Sequence, residues 1–113
     1  MACTEVRIQL KIKATMEKTT QPIVTTLATG SNLITKQMQA KAGALLPKHL
    51  ADKESMVFIH EGECILNIHD KAKVLKQGDA IVIPAAAIHQ IKVVKDFKGV
   101  HIMPIDIKFE FFK

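Results

Sequence analysis

Two segments decide the fold: residues 43–62 read GALLPKHLADKESMVFIHEG, and residues 78–89 read GDAIVIPAAAIH. In each segment a glycine opens a spacer that leads to a histidine, His49 in the first and His89 in the second. Short apolar runs, such as Met56–His60 and Ala80–Pro84, alternate with glycine, proline and small polar residues. This spacing is typical of short strands separated by turns, and it predicts an all-β domain.

The middle of the chain predicts an antiparallel meander. The strand Met56–His60 is expected to turn at Glu61-Gly62 and to return as Glu63–His69. A second turn at Asp70-Lys71 leads into Ala72–Leu75, and from there to Gly78 and the apolar run that follows it. Gly62 and Gly78 fit positions where a positive φ would penalise a side chain.

The two ends of the chain each predict one further strand. From Glu5 to Lys13, and again from Ile105 to Phe111, apolar and polar residues alternate strictly. A period of two indicates a half-buried strand. We expect that these terminal strands could pair with each other, and no long pattern with a period of 3.6 residues competes with them.

The two segments resemble the paired signature motifs of the cupin family. The first motif has Gly43, a five-residue spacer, His49 and Gly62, and the second has Gly78, Pro84 and His89. The resemblance covers residues 32–104. It implies a cupin-type double-stranded β-helix, also called a jelly-roll barrel, here with additional N- and C-terminal strands.

The chain departs from the family pattern at positions that normally hold a metal ion. In the first motif Ala51 stands where a second histidine is usual, and Ser55 stands where a glutamate is usual. In the second motif Ala86 replaces the usual glycine and Val93 the usual asparagine. The resemblance therefore implies a degenerate site in which only two of the four metal ligands remain.

The chemistry of that loss follows from the donors themselves. A divalent transition metal held tightly by protein generally takes at least three protein donors. His49 and His89 supply two, Ala51 supplies none, and the neutral hydroxyl of Ser55 is a poor substitute for a carboxylate. We therefore expect either no cofactor or a weakly bound divalent metal at His49 and His89.

Several nearby residues were candidates for a third ligand. Side chains alternate across a strand, so an inward Ser55 places Glu54 and His60 on the outer face. Asp52 lies in the loop before this strand and remains a weak candidate. His101 is expected in a strand over Gly99–Met103, and Gly99 predicts a turn that separates this strand from His89. The alternation therefore leaves the direction of His101 open, and a surface or edge position is the favoured interpretation.

The same alternation predicts a pocket. Val57, Ile59, Ile81, Ile83 and Ile91 are expected to face inward, with Met38 or Met103 nearby. The predicted ligand-binding residues are His49, Ser55, Val57 and His89. An apolar cavity with a polar mouth suits a small, partly apolar molecule. The chain contains no Trp or Tyr and only one Arg, so sugars and diacids are less favoured.

Composition excludes other classes of partner. The net charge is +5, but the lysines are scattered and Arg7 is the sole arginine, a pattern that does not favour nucleic-acid binding. The N-terminal stretch has no apolar run that predicts a membrane anchor or an export signal. Cys3 and Cys64 form no CxxC pair, and neither is expected to be a nucleophile. A cytoplasmic location is expected.

One cupin domain is expected over residues 1–113. The resemblance implies a homodimer formed by exchange of terminal strands, with residues 1–31 at the interface, because exposed amphipathic strand edges invite pairing.

Three functions remain open. The first is a non-catalytic small-molecule-binding or accessory protein. The second, implied by the resemblance, is a metal-dependent dioxygenase or isomerase that uses His49 and His89 with an unconventional third ligand such as Asp52 or His101. The third is a purely structural or interaction barrel. The sequence does not decide whether the protein is an enzyme.

Overall fold

The computed structural model describes residues 18–112, which contain eight strands. Their bounds are β1 Ile23–Thr29, β2 Leu33–Ala40, β3 His49–Ala51, β4 Ser55–Ile68, β5 Lys71–Lys76, β6 Ala80–Ile83, β7 His89–Pro104 and β8 Phe109–Phe111. All eight belong to one curled sheet. The all-β prediction is confirmed. This part of the chain contains no helix long and apolar enough to cross a membrane.

Strand β7, with 16 residues, organises the sheet. Its C-terminal half pairs with β2 on one edge, and β4 pairs along nearly its whole length on the other. At its start, His89 pairs with His49 of β3. Strand β1 lies outside β2, and β8 lies outside β3. Because β7 contacts three different strands, side chains from distant parts of the sequence meet over its inner face.

The predicted turn at Glu61-Gly62 is wrong, because β4 continues through it for 14 residues. The pairing of β4 with β7 instead shifts register around this point, which marks a series of β-bulges. Bulges bend a strand and increase its twist. Gly62 has φ of +87°, and a Cβ there would collide with the carbonyl group of Asp96. The glycine therefore allows two backbones to approach closely where the sheet bends.

The second predicted turn is present, one residue earlier than expected. Ile68 of β4 pairs with Lys71 of β5, which leaves His69 and Asp70 as a two-residue loop. Both residues have positive φ, as a type I′ hairpin turn requires. Ala80–Ile83 forms β6, which pairs with the first half of β4.

The core is built mainly by the inward side chains of the paired strands β4 and β7, joined by Leu46, Leu75 and Ile83. Ile59, Cys64, Leu66, Val93 and Phe97 are almost completely buried. The inward and outward alternation predicted for β4 is confirmed at Ser55, Val57 and Ile59, which are buried, and at His60, which is exposed.

The terminal strands differ from the prediction where they are described. Strand β8 covers only Phe109–Phe111, and it pairs antiparallel with β3. Two hydrogen bonds join Lys108 to Asp52. The backbone N–H of Asp52 donates to the carbonyl group of Lys108, and the backbone N–H of Lys108 donates to the carboxylate of Asp52. The predicted strand Glu5–Lys13, and hence its pairing with the C-terminal strand, lies outside the described residues.

Candidate functional site

An apolar cavity of about 210 Å³ opens inside the curl of the sheet. It is bounded by residues from β1, β2, β3, β7 and β8 and from the segment before β3. The lining residues are Gln21, Pro22, Val24, Lys36, Met38, Leu46, Pro47, His49, Ile91, His101, Met103, Phe109 and Phe111. Four of these side chains are polar or charged, and none is acidic.

The imidazole of His49 is held at the cavity wall by a hydrogen bond to a backbone carbonyl group and by contacts with neighbouring rings. Its Nδ1–H donates a hydrogen bond of 3.0 Å to the carbonyl group of Pro47. Its ring lies 4.3 Å from that of His89 and 5.0 Å from that of Phe111, measured between centroids. Because a carbonyl can only accept, Nδ1 carries the proton and Nε2 of the neutral ring is an acceptor.

His89 lies behind His49 and is buried. Its Nδ1–H donates a hydrogen bond of 2.9 Å to the carbonyl group of Ala87. Burial lowers the pKa of His89 below its ordinary value, and the neighbouring His49 acts in the same direction. The structure thus brings together the two histidines that the sequence separates by forty positions, with the same ring nitrogen anchored in both.

His101 faces inward, so the favoured surface or edge position was wrong. The side chain is 8% exposed, and Nε2 lies 2.8 Å from Oγ of Ser55. Burial, with further contributions from His49, His89 and Lys36, lowers the pKa of His101 to about 4. At neutral pH His101 is an uncharged imidazole at the cavity wall.

The direction of His101 was not predicted because the sequence did not show that β7 is one continuous strand. The sequence suggested that a turn at Gly99 breaks the strand, but β7 runs unbroken from His89 to Pro104. A Cβ at Gly99 would lie 2.6 Å from the ring of Phe97, so the glycine makes room for this buried aromatic side chain. Since His89 and His101 are 12 positions apart on this strand, an even spacing, both face the interior.

Lys36 is a cavity residue that sequence reasoning did not identify. It lies on β2 directly opposite His101 of β7, and Met38 lies opposite Gly99. Both Lys36 and Met38 line the cavity. Lys36 could have been identified from the sequence, because it alternates with the apolar residues Ile34 and Met38 and so shares their face of β2.

The other predicted site residues are distributed around this cavity. Ser55 is buried and reaches the cavity wall through His101. Val57 belongs to the packed core and does not line the cavity. Of the expected apolar lining, Ile91, Met38 and Met103 are present, whereas Ile59 and Ile83 lie in the core.

The residues considered as a third metal ligand on or before β4 do not point toward the histidines. Glu54 and His60 are exposed, as the alternation predicted. The carboxylate of Asp52 accepts a hydrogen bond from the backbone N–H of Lys108, and its side chain is engaged outside the histidine cluster. Cys64 is a buried free thiol whose pKa is raised to about 11 by burial and by Glu63. A thiol with this pKa is not a nucleophile at neutral pH.

The donor set does not fit a tightly held metal ion. Within residues 18–112, no group of three or more His, Cys, Asp or Glu side chains is arranged to hold a metal. His49 and His89 each offer one Nε2, whereas Nε2 of His101 is engaged with Ser55. In the described part of the chain, no carboxylate lines the cavity to balance the charge of a divalent cation.

The family model described as "Cupin domain" matches residues 37–104, more than half of the chain. The chain belongs to the cupin family. The resemblance seen in the two motifs is thereby confirmed, and the curled sheet is a double-stranded β-helix.

Solved structures share this cupin fold. A cupin superfamily protein from Desulfitobacterium hafniense DCB-2 is 22% identical, with a TM-score of 0.69 over 79% of this chain and 82% of that one. A conserved protein with a double-stranded β-helix domain from Klebsiella pneumoniae subsp. pneumoniae is 16% identical, with a TM-score of 0.74 over 85% of this chain and 88% of that one. No curated protein matches the sequence of this chain.

A larger enzyme contains a similar barrel. The A85H mutant of salicylate 1,2-dioxygenase from Pseudoaminobacter salicylatoxidans is 11% identical, with a TM-score of 0.73 over 93% of this chain and 35% of that one. At this identity the likeness concerns the fold alone. The function of this cupin has to be argued from its own cavity.

Proposed function

We propose that this cupin binds a small, largely apolar molecule in the cavity and acts as a non-catalytic binding or accessory protein. The observation that supports this proposal most directly is the mainly apolar lining of the cavity, to which Met38, Leu46, Ile91 and Met103 contribute. Ligand sites are typically concave and mostly apolar, with a few polar groups that orient the ligand. The imidazoles of His49 and His101 are such groups.

The volume supports a small ligand. An apolar cavity of roughly 150 Å³ is large enough to bind benzene in another protein. The cavity of about 210 Å³ therefore suits a molecule of one ring with a substituent, or a branched chain of similar size.

Binding can be tested with the methionine methyl groups as reporters. We expect small apolar molecules to shift the ¹³C-methyl resonances of Met38 and Met103, which line the cavity, while leaving Met56 unchanged because it lies on the outer face of β4. Replacing Ile91 with Phe should fill the cavity and abolish these shifts. Equal shifts in the filled variant would contradict binding in the cavity.

A metal-dependent enzyme is the second candidate, favoured by one observation. The Nδ1–H groups of His49 and His89 are both fixed by backbone carbonyl groups, which leaves each Nε2 free. Metal-binding histidines are usually oriented in this way. Residues 18–112 supply no third protein donor to this arrangement, so we rank this candidate below the binding function.

Metal content decides between these two candidates. The protein would be purified without a His tag, incubated with iron(II), manganese, nickel, copper or zinc, and analysed by mass spectrometry beside His49→Ala and His89→Ala variants. We expect no stoichiometric metal. One metal per chain, lost in both variants, would favour the enzyme and direct a search for its third ligand. A purely structural barrel would be indicated if no probe molecule and no metal bound.

We also propose that the protein forms a homodimer through β1 and the N-terminal segment. All seven residues of β1 are exposed, including Ile23, Val24 and Leu27, although the strand is rich in apolar residues. An uncovered apolar edge strand is a site for pairing with another chain. Light scattering should give a dimer mass, and the double change Ile23→Lys with Leu27→Lys should give a monomer.

A cytoplasmic location is proposed on the basis of Cys64. This thiol is free and buried, and no disulfide is present in residues 18–112. Free buried cysteines are common in reducing compartments. Fractionation of cells that express the untagged protein would test the proposal.

A further inference from the structure

Among residues 18–112, Lys36 is the one lysine that lines the cavity, and no arginine, aspartate or glutamate lines it. It lies on β2 between Ile34 and Met38 in the inward alternation, and its register partner on β7 is His101. Lys36 is only partly exposed. Lys36 lines the same space as the imidazoles of His49 and His101, and its positive charge is close enough to contribute to the lowered pKa of His101.

No negative charge of this protein compensates Lys36 within the part of the chain that the structure describes. The cavity lining contains no Asp or Glu. The ion pairs found in residues 18–112 involve Asp96, Asp106, Glu61 and Glu63, which pair with Lys41, Lys53, His60, Lys95 and Lys98. Lys36 takes part in none of them.

We propose that the molecule held in the cavity is a small apolar monocarboxylate whose carboxylate pairs with Lys36. This inference rests on the binding function proposed above and adds the charge and chemical class of the ligand. A carboxylate would supply an anionic partner that no ion pair within residues 18–112 provides, while the rest of the molecule would lie against Met38, Ile91 and Met103.

The energetics favour one negative charge on the ligand. A cation beside apolar surface is costly unless it is paired, and a hydrogen bond between ammonium and carboxylate is stronger than one between neutral groups. A lysine acts as a single point charge, unlike the two-pronged guanidinium group of arginine. Burial keeps His101 uncharged at neutral pH. Lys36 therefore brings a formal positive charge to the part of the cavity wall that His101 leaves neutral.

Charge and size together define the probes. Benzoate and 4-methylpentanoate each carry one carboxylate on an apolar body of a size that suits the cavity. Benzamide and 4-methylpentanamide have nearly the same shapes and carry no charge. A comparison of each acid with its amide thus isolates the contribution of the negative charge.

The experiment measures binding of all four probes by calorimetry, with the methyl resonances of Met38 and Met103 used to locate them. The full-length wild type is compared with Lys36→Met, which retains an apolar stem, and with Lys92→Met, which removes an exposed lysine on the outer face of β7. We expect each acid to bind wild type about tenfold to a hundredfold more tightly than its amide. Lys36→Met should abolish this preference, and Lys92→Met should preserve it.

The possible outcomes separate the inference from the function on which it rests. If amides bind as tightly as acids, or if Lys36→Met retains the preference for acids, the inference is wrong but the binding function stands. If Lys92→Met weakens acids as much as Lys36→Met does, the preference reflects the general positive charge of the protein, and the inference is again wrong. If none of the four probes binds or shifts either methyl group, both the inference and the binding function are overturned.

Discussion

Nε2 of His101 lies 2.8 Å from Oγ of Ser55. The two side chains belong to adjacent antiparallel strands, where Val57 of β4 is the direct partner of His101 and Ser55 is its diagonal neighbour. Ser55 occupies the motif position where cupins usually carry a glutamate. In this chain the hydroxyl group of Ser55 forms a hydrogen bond with the buried, uncharged imidazole of His101. The first two predictions concern this pair.

Stability should decrease as the pH falls from about 6.5 to about 4. The folded-state pKa of His101 is about 4, below its ordinary value of 6.5, so the unfolded chain takes up a proton that the folded chain does not. The corresponding stability is fully present above pH 6.5 and is lost as the pH falls toward 4. Its size is at most about 3 kcal/mol for a group this deeply buried. Urea denaturation at several pH values measures it.

The control for this pH dependence uses another histidine. His101→Gln should flatten the pH dependence, and a residual slope from His89 should remain because its pKa is also lowered. His60→Gln, at an exposed position on the outer face of β4, should leave the slope of the wild type. An unchanged slope in His101→Gln would contradict the assignment.

Ser55→Ala should destabilise the protein by about 1–3 kcal/mol, because it leaves a buried polar nitrogen of His101 without its partner. Ser31→Ala removes a hydroxyl group of the same kind from an exposed bend and should cost little. The free energies of unfolding of both variants, measured at pH 7.5, test the difference. Equal values would show that the bond between Ser55 and His101 does not contribute to stability.

Gly62→Ala should destabilise the protein by more than about 3 kcal/mol or prevent folding, since the added Cβ collides with the backbone of Asp96. Gly43→Ala is the matched control. Gly43 also has a positive φ, of +92°, but a Cβ there meets no atom within 4 Å, so only the conformational cost of about 1–2 kcal/mol applies. Urea denaturation of the two variants should rank Gly62→Ala as clearly the worse, and the reverse order would contradict the close approach at the bend.

Ala86→Gly should stabilise the protein by up to about 1 kcal/mol. Ala86 has φ of +64°, a conformation that penalises a side chain, and the gain exceeds the entropy that glycine adds to the unfolded chain. Ala85→Gly, at the adjacent exposed position without positive φ, should instead destabilise by about 0.5–1 kcal/mol. Opposite changes in melting temperature would support the prediction, and a loss of stability in both variants would refute it.

Much of the fold was accessible from local patterns. The spacing of Gly43, His49, Gly62, Gly78 and His89 indicated the family. The period of two along β4 placed Ser55 inside and His60 outside. These inferences held because alternation across a strand is a property of the backbone itself, independent of what packs against it.

Two of the errors occurred at glycines. Gly62 and Gly99 both suggested turns that break strands, yet β4 and β7 each run through them. A glycine marks a position where a side chain is excluded, but the sequence does not state what excludes it. At Gly62 it is the backbone of Asp96, and at Gly99 it is the ring of Phe97.

The sequence by itself determined the class of fold and the inward face of β4, because both depend on residue identity and short-range spacing. Only the tertiary structure decided that His101 faces the cavity and that Lys36 lies opposite it. Both depend on the continuity of β7 and on its register with β2, and that register is set by contacts between residues far apart in the chain.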